Sequence, residues 1–261
     1  YFTGGIDSLD SDYASAFNYK IQALFFKLCY WVADSCIIVS QSDLKNIFKV
    51  SSLKKKLSYS EHVINTKLFI ADVPKEKIFT SIVWMGDEGN VVRKVDKALQ
   101  IFAELKKIPE FVDYRFVIIG RKGEGEVLVR SIIDKYNLKG SVELKGEVSE
   151  EDKINLLKQS KYYFQLSLYE GFGLAALEAL CANNIIIHSG KGGLANPIYK
   201  EQLLFDIDND FDSELLKLVN KLACFTPITS YDNLLEYYDI QRRKDDFEAI
   251  IVNGKSNYKL K

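Results

Sequence analysis

The fold is decided by one stretch of sequence, Glu170-Gly-Phe-Gly-Leu-Ala-Ala-Leu-Glu178. An aromatic and apolar run of strand length, residues 162–168, precedes it, and the apolar residues after its glycines recur with helical spacing. Gly171 and Gly173 let the backbone turn tightly and approach a ligand, because no β-carbon stands in the way. The stretch therefore predicts a strand, a tight glycine turn and a helix that begins near Gly173.

The start of this predicted helix has the chemistry of an anion site. The amides of Gly173, Leu174 and Ala175 would have no partners inside the helix. Unpaired amides and the helix dipole together favour a phosphate or another anion at this end. Glu170 precedes the helix, where its carboxylate could accept a hydrogen bond from a ligand hydroxyl. These features predict an anion-binding turn with a hydrogen-bond acceptor beside it.

Glu178 lies within the predicted helix, and its neighbours at helical spacing are apolar, which places its carboxylate near the buried face. A buried charge is costly unless a polar group meets it, and a vicinal diol such as a ribose is a suitable partner. Two alternatives remain. The carboxylate could lie at the edge of the apolar stripe with its head in water, or it could pair with Glu170 as in a glycosidase. No other feature of a sugar-cleaving cleft accompanies the pair, which disfavours the glycosidase.

Composition narrows the possible functions. The chain has 261 residues, of which 47% are hydrophobic and 27% charged, so it can bury one good core and part of a second. Its net charge of −1 argues against nucleic acid as the main partner. Four scattered cysteines without a C-x-x-C pair indicate free thiols in a reducing, cytoplasmic compartment. Two histidines are too few for a histidine metal cluster, and no stretch reads as a signal peptide or a membrane-spanning helix.

The opening motif resembles the glutamate-x7-glutamate signature of the retaining glycosyltransferases of family four, which have the GT-B fold of two Rossmann-like domains. The resemblance rests on both glutamates, the Phe172-Gly173 pair and the helix that follows. It implies metal-independent transfer of a sugar from a nucleoside-diphosphate sugar to a carbohydrate or lipid-linked acceptor, with no cofactor. It also implies that Glu170 acts catalytically at the donor sugar and that Glu178 holds the ribose. By the same resemblance, the turn formed by Gly171, Phe172, Gly173 and Leu174 contacts the donor sugar and phosphate.

The loop after the first predicted strand of the donor domain departs from the family pattern. In the family a glycine-arginine pair and a lysine follow this strand and bind the diphosphate. Here Gly86 is present, Arg93 fills the lysine position, and Asp87, followed by a second acid, stands in the arginine position. Two acids beside a diphosphate should repel it, so the resemblance requires Lys94 or Arg121 to supply the missing charge.

Three further loops are candidates for the ligand side, one by its place in the sheet and two by resemblance to the family. Gly120 and Arg121 open the loop after the second strand, on the ligand side of a parallel sheet. The loop Gly146-Glu-Val148-Ser149 resembles the one whose backbone meets the nucleobase, which makes Val148 a donor-binding candidate. The glycine-rich stretch 189–194 resembles the donor-side loop, but Asn196 stands where the family has an acid.

Strand and helix patterns alternate from residue 78 to 222, which predicts an α/β fold with a doubly wound parallel sheet. By resemblance, residues 71–225 form a Rossmann-like donor-binding domain, and residues 226–261 are helices that pack back toward the hinge. Residues 1–70 would be the C-terminal remnant of a truncated acceptor domain and the hinge itself. We therefore expect this chain to bind a donor without transferring the sugar. The lysines of the N-terminal part are most simply a solvated face; contact with an anionic membrane, at the inner face of the cell membrane, is the alternative.

The function that we predict is a retaining glycosyltransferase of polysaccharide biosynthesis. One alternative is a non-catalytic module that binds a sugar nucleotide or a protein partner, which Asp87 and Asn196 favour. The other is a different doubly wound α/β nucleotide-binding protein, such as a nucleoside-sugar epimerase. A transferase activity separates the first alternative from the prediction, and the position of the nucleotide relative to Glu178 separates the second.

The acid at the family's arginine position generates a test of the diphosphate site. Arg93 should carry a larger share of the charge than usual, so Arg93→Ala should weaken nucleoside diphosphate binding by at least about 1.5 kcal/mol, roughly tenfold, since charge-assisted hydrogen bonds are strong. Asp87→Arg should tighten binding, and the gain should shrink as salt rises. Titration calorimetry measures both effects. Parental affinity in both variants would mean that the phosphate binds elsewhere.

Overall fold

The computed structural model of the chain contains two parallel β-sheets with helices packed around them. It describes residues 2–3, 16–33, 35–39, 57–70, 73–86, 94–225 and 232–253. In chain order the strands are β1 (Phe2–Thr3), β2 (Cys36–Ile38), β3 (Leu57–Tyr59), β4 (Glu76–Ile82), β5 (Arg115–Ile119), β6 (Val142–Gly146), β7 (Ser160–Gln165), β8 (Ile185–His188) and β9 (Leu203–Leu204). The helices are α1 (Ala16–Val32), α2 (Val95–Leu105), α3 (Glu126–Lys135), α4 (Glu150–Gln159), α5 (Leu174–Cys181), α6 (Phe211–Cys224), α7 (Asp232–Tyr237) and α8 (Ile240–Asn253).

The larger sheet has six parallel strands in the order β6-β5-β4-β7-β8-β9. The chain winds outward from β4 in one direction and then outward from β7 in the other, which is the doubly wound order of dinucleotide-binding folds. The α/β fold with a parallel sheet that the sequence predicts is confirmed. The winding reverses between β4 and β7, and in such sheets a crevice opens beyond the carboxyl ends of the two strands at this point.

Alternating side chains on the strands divide the core into two halves. On one face of β7, Tyr162 and Phe164 stack on Phe79 of β4, with ring centroids 4.6 and 5.2 Å apart. Helices α2, α3 and α6 cover this face. On the opposite face Tyr163 packs with Ile186 of β8 against α5. A slip of one residue in the register of β7 would exchange the two faces, so both halves of the core fix the register.

Helices α7 and α8 contact the segment that joins the two sheets. The Tyr238 carbonyl accepts a hydrogen bond from the Ile64 amide at 3.0 Å, and Asp246 accepts one from the Ser60 hydroxyl at 2.7 Å. Arg243 donates to the Ser60 carbonyl at 2.8 Å. Polar groups of both segments are thereby satisfied across the contact, as buried polar groups must be.

Helix α1 exposes an apolar face. The side chains of Leu24, Phe25, Leu28 and Trp31 are between 56% and 79% exposed. None of the helices in the described ranges is both long and apolar enough to cross a membrane. An exposed apolar face of this kind marks a possible contact surface.

Some predicted element boundaries are wrong. The strand expected over residues 162–168 ends at Gln165, because its neighbour β8 ends at His188, which pairs with Gln165. The C-terminal helical segment is divided into α7 and α8, because the Asp239 carboxylate accepts the Gln241 amide at 3.0 Å and starts α8. Strands β3 and β9 were not predicted, since three and two residues are too few to show a period.

Lys75 connects the start of β4 to the ends of two helices. Its ammonium donates to the carbonyls of Leu157 and Lys158 in α4, at 3.3 and 2.9 Å, and to that of Ala182 after α5, at 2.5 Å. Carbonyls at a helix C-terminus lack helical partners, so a cation is well placed there. The site is nevertheless poorly solvated, and burial lowers the pKa of Lys75 to about 8.

This lowered pKa predicts a pH-dependent contribution of Lys75 to stability. Between about pH 8 and the ordinary lysine pKa, the folded chain binds fewer protons than the unfolded chain, so its stability rises with pH. The difference in unfolding free energy between the parent and Lys75→Met should therefore grow in the parent's favour by about 1–2 kcal/mol between roughly pH 7.5 and 9.5. Urea unfolding followed by circular dichroism measures it.

Lys77→Met is the matched control for this titration. Lys77 lies on the same strand, and its ion pair with Asp113 is exposed at both ends. Exposed pairs contribute little to stability, so the difference between this variant and the parent should not grow with pH. If the difference in unfolding free energy grew equally with pH for both variants, burial would not be the cause of the pH dependence at Lys75.

Candidate functional site

The carboxyl ends of β4 and β7 flank the point where the winding of the sheet reverses. The loop after β7 contains Glu170 and the turn at residues 171–173, and α5 begins at Leu174. The loop after β4 contains Gly86, and α2 begins at Val95. The topology thus brings to one crevice the two glycine-bearing loops that the sequence singles out.

Helices α2 and α5 begin in the same unusual way. Their N-terminal cap residues, Lys94 and Gly173, are left-handed, with φ of 52° and 88°, and neither residue caps its helix with a side chain. In contrast, the side chains of Ser149 and Asp210 cap α4 and α6. Glycine adopts the left-handed conformation freely, whereas a lysine in it is strained, and such strain concentrates at functional sites. Two uncapped helix N-termini after adjacent strands are suited to an anion.

A row of hydrogen bonds on β7 orients the Glu170 carboxylate. The Tyr163 hydroxyl donates to Gln165 Oε1 at 3.0 Å, and Gln165 Nε2 donates to Glu170 Oε2 at 2.9 Å. The same amide nitrogen lies 2.9 Å from Ser167 Oγ. Tyr163, Gln165 and Ser167 share one face because side chains alternate along a strand, and all three are buried. Neutral donors on this face of the sheet therefore hold Oε2 of the carboxylate.

The glycine-rich loop after β8 packs directly on the Glu170 turn. The Gly193 amide donates to the Glu170 carbonyl at 2.5 Å. A β-carbon on Gly193 would lie 2.5 Å from the α-carbon of Phe172, and one on Gly192 would clash with the Glu170 carbonyl. Glycines are required here because the backbone of this loop contacts the backbone of the turn directly, and the contact holds the turn in place.

Phe172 joins the turn to the segment between the two sheets. Its buried ring contacts His62 edge-on, with centroids 5.4 Å apart, and Tyr238 at 6.2 Å. Burial and the nearby Arg243 lower the pKa of His62, so the imidazole is neutral at physiological pH. The side chain of Phe172 thus packs in the core, and the backbone of this residue forms part of the turn.

Glu178 forms an ion pair with a lysine of the neighbouring helix. Nζ of Lys153 in α4 lies 2.9 Å from each carboxylate oxygen of Glu178 and 2.8 Å from Glu150 Oε1. Burial raises the pKa of Glu178, and the hydrogen bond from Lys153 opposes the rise. Burial also disfavours the ammonium, but its bonds to Glu150 and Glu178 raise the pKa of Lys153. The Glu178 side chain is only 16% exposed, so the alternative of a carboxylate head in water is wrong.

Backbone hydrogen bonds hold three further loops of the site side by side. The Arg121 carbonyl accepts the Met85 amide at 2.8 Å, and the Gly146 carbonyl accepts the Gly120 amide at 2.8 Å. Gly86 is buried against the indole of the neighbouring tryptophan. The loops after β4, β5 and β6, which carry these predicted residues, are therefore adjacent at the carboxyl edge of the sheet.

The side chains of the other predicted residues are placed as follows. Arg121 is exposed, and Val148 packs against the core beside α4. Within the described ranges the Lys94 ammonium makes no hydrogen bond or ion pair. Asp87 and Arg93 lie outside the described residues. In the part of the chain that the structure describes, no group of three or more histidine, cysteine, aspartate or glutamate side chains could hold a metal ion.

Comparison with protein families identifies the segment that contains this site. Residues 88–223 match the family described as Glycosyl transferases group 1. The chain belongs to the group 1 glycosyl transferases. The matched segment contains both glutamates, the glycine turn and the helices α2 and α5.

Individual relatives match this group 1 glycosyl transferase over part of their own length. The GDP-mannose:cellobiosyl-diphosphopolyprenol alpha-mannosyltransferase of Xanthomonas oryzae pv. oryzae is 32% identical over 150 residues, which are 50% of this chain and 37% of that relative. HepE of Anabaena, solved with UDP-glucose, has a TM-score of 0.76 at 11% identity over 97% of this chain and 71% of HepE. Sucrose-phosphate synthase of Thermosynechococcus elongatus has a TM-score of 0.69 at 20% identity over 97% and 65%. The structural likeness shows a shared fold.

Sequence reasoning missed three residues of this group 1 glycosyl transferase that contact the predicted site, namely Gln165, Lys153 and His62. A signal was available for Gln165, because a polar side chain at a core-facing strand position needs a hydrogen-bond partner. No local pattern indicated Lys153 or His62, since their partners lie on other elements of the fold.

The row of hydrogen bonds on β7 generates a double-mutant test. Gln165→Leu and Tyr163→Phe remove the two ends of one buried bond, so their combined effect on unfolding free energy should differ from the sum by at least about 0.5 kcal/mol. Tyr162→Phe is the control, because Tyr162 faces the opposite half of the core; with Gln165→Leu it should be additive within about 0.5 kcal/mol. Urea unfolding measures the unfolding free energy of every variant. Additive effects in both pairs would contradict the row of hydrogen bonds on β7.

Proposed function

We propose that this chain is the donor-binding part of a retaining glycosyltransferase, which takes a sugar from a nucleoside-diphosphate sugar without a metal ion. The arrangement around α5 carries the proposal. An uncapped helix N-terminus opens on the crevice, an oriented carboxylate precedes it, and a second carboxylate lies about one turn into the helix. In this proposal residues 71–225 bind the donor, and residues 1–70 are part of the acceptor domain and the hinge.

The uncapped helix would receive the diphosphate. When the bond between the sugar and the diphosphate breaks, negative charge grows on the departing phosphate oxygen. The amides at the start of α5 are fixed dipoles, so they can stabilise this charge without rearranging. The Lys94 ammonium at the start of α2 and the exposed Arg121 would add positive charge across the crevice.

The two carboxylates would bind different hydroxyls of the donor. Glu170, held by Gln165, would accept a hydrogen bond from a hydroxyl of the sugar. Glu178 would accept hydrogen bonds from the ribose, whose vicinal hydroxyls suit a partly buried carboxylate. Retention of the anomeric configuration belongs to the proposal through the resemblance of this motif to that of retaining enzymes.

The asparagine at position 196, where the family has an acid, no longer favours a non-catalytic module. Its side-chain amide donates to Glu61 Oε1 at 2.9 Å, and its oxygen accepts the Ile198 amide at 3.1 Å. Asn196 therefore has a structural role in this fold. The family match also argues against an unrelated α/β nucleotide-binding protein.

The acceptor of the whole protein is proposed from a relative. The Xanthomonas mannosyltransferase is named for a cellobiosyl-diphosphopolyprenol acceptor, and we propose an acceptor of the same class, a saccharide on a lipid carrier. Transfer to such an acceptor by the whole protein would distinguish a glycosyltransferase from a module that only binds the donor.

Nucleotide binding tests the donor site. UDP, GDP and ADP, each with and without a sugar, are titrated into the chain by calorimetry. Glu178→Gln should weaken binding of the tightest nucleotide by about 1.5–3 kcal/mol, because it removes a charged hydrogen bond. Glu170→Gln should weaken binding of the sugar nucleotide more than binding of the nucleotide alone.

Glu151→Gln is the control, since Glu151 is an exposed carboxylate of α4. It should bind like the parent. If no nucleoside diphosphate binds the parent, the donor site is wrong. If Glu178→Gln binds as tightly as the parent, the ribose lies elsewhere.

A further inference from the structure

The Lys153 ammonium is surrounded by carboxylate oxygens. An ammonium group has three N–H donors, and Nζ of Lys153 lies within 2.9 Å of the two Glu178 oxygens and of one Glu150 oxygen. The Lys153 side chain is only 17% exposed. Three carboxylate oxygens already face this largely buried ammonium, so Lys153 is poorly suited to bind a nucleotide directly.

Glu178 in contrast keeps part of its capacity. An ionised carboxylate offers about four lone-pair sites, of which Lys153 takes one on Oε1 by a hydrogen bond and approaches Oε2 as an ion-pair partner. The other sites can accept the two hydroxyls of a vicinal diol. The ion pair and a bound ribose are therefore compatible, and the lysine fixes the direction in which the carboxylate faces the diol.

Lys153 also belongs to the helix that follows the predicted nucleobase loop. Ser149 ends that loop, and its hydroxyl caps α4 by accepting the Asp152 amide at 3.0 Å. The Lys153 amide donates to the Ser149 carbonyl at 3.0 Å. The loop, the cap and Lys153 are thus consecutive parts of one helix start, which the ion pair with Glu178 ties to α5.

We infer that Lys153 is a positioning residue for nucleotide recognition: it orients the Glu178 carboxylate toward the ribose, keeps it ionised and couples it to the nucleobase loop. This inference rests on the proposed ribose role of Glu178. Lys153 acts through Glu178 and does not touch the nucleotide.

Burial and two charged groups, Lys153 and Glu150, determine the ionisation of Glu178. Both face it from α4, and the thiol of Cys181, one turn away on its own helix, has its pKa raised by burial and by Glu178. Burial raises the pKa of Glu178, Lys153 opposes the rise and Glu150 adds to it. Without Lys153 the pKa rises further, and protonation removes acceptor sites that a diol needs. Loss of Lys153 should therefore weaken nucleotide binding more at low pH than at high pH.

The experiment measures the affinity of the chain for UDP and GDP, whichever binds more tightly, from pH 5.5 to 8.5. Lys153→Met should lose affinity as the pH falls, by about tenfold more than the parent for each unit by which the Glu178 pKa rises through this range. Glu178→Gln in the Lys153→Met background should remove the extra pH dependence, because no carboxyl is left to titrate. Glu151→Gln should follow the parental profile.

The outcomes separate the inference from the proposed function. If Glu178→Gln alone binds like the parent, the ribose role fails and the inference fails with it. If Glu178→Gln weakens binding but Lys153→Met keeps the parental affinity at every pH, only the inference is overturned. An equal loss at every pH would show a structural role and also overturn it.

Should Lys153→Met not fold, Lys153→Arg keeps the experiment decisive. An arginine retains the charge, so it should retain the parental pH profile even if its different geometry lowers the affinity. A steep loss at low pH in Lys153→Arg would contradict the inference.

Discussion

The parallel pairing of β4 with β7 is the contact on which the rest of the structure depends. It is made by stacked rings on one face, Phe79 on Tyr162, and by a buried pair of hydroxyls, Thr80 and Ser160, 2.5 Å apart on the other. The registered residues Glu76 and Ser160 are 84 residues apart in the sequence, so the pairing closes a long loop. In return it brings two strand-to-helix turns together and creates the crevice between them.

The site uses two carboxylates in two different environments. Oε2 of Glu170 accepts hydrogen bonds from the amide of Gln165 and the hydroxyl of Ser167, whereas Glu178 forms an ion pair with an ammonium on a neighbouring helix. Neutral donors orient a carboxylate without cancelling its charge, and an ammonium compensates the charge that burial disfavours. The environment, more than the residue type, therefore assigns the separate roles, one at the sugar and one at the ribose, that we propose for them.

The features that the sequence predicts well are local or periodic. Strand and helix patterns alternate clearly enough to give the parallel α/β fold, and the glycines at 171 and 173 mark the turn and the start of α5. The ion pair of Lys153 with Glu178 was beyond reach, because it depends on how α4 and α5 are rotated against each other. Strand β9 was too short for a periodic signal, and the break at Asp239 depends on a single capping side chain.

The buried Glu61 has a consequence for how this sequence can evolve. Its carboxylate accepts hydrogen bonds from Tyr59 and Tyr238 as well as from Asn196, so it joins the smaller sheet, the C-terminal helices and the glycine-rich loop. An acid at position 196, which the family resemblance expects, would face Glu61 carboxylate to carboxylate in a buried site. The two positions are therefore coupled: an acid at position 196 would be accommodated more easily if residue 61 were neutral.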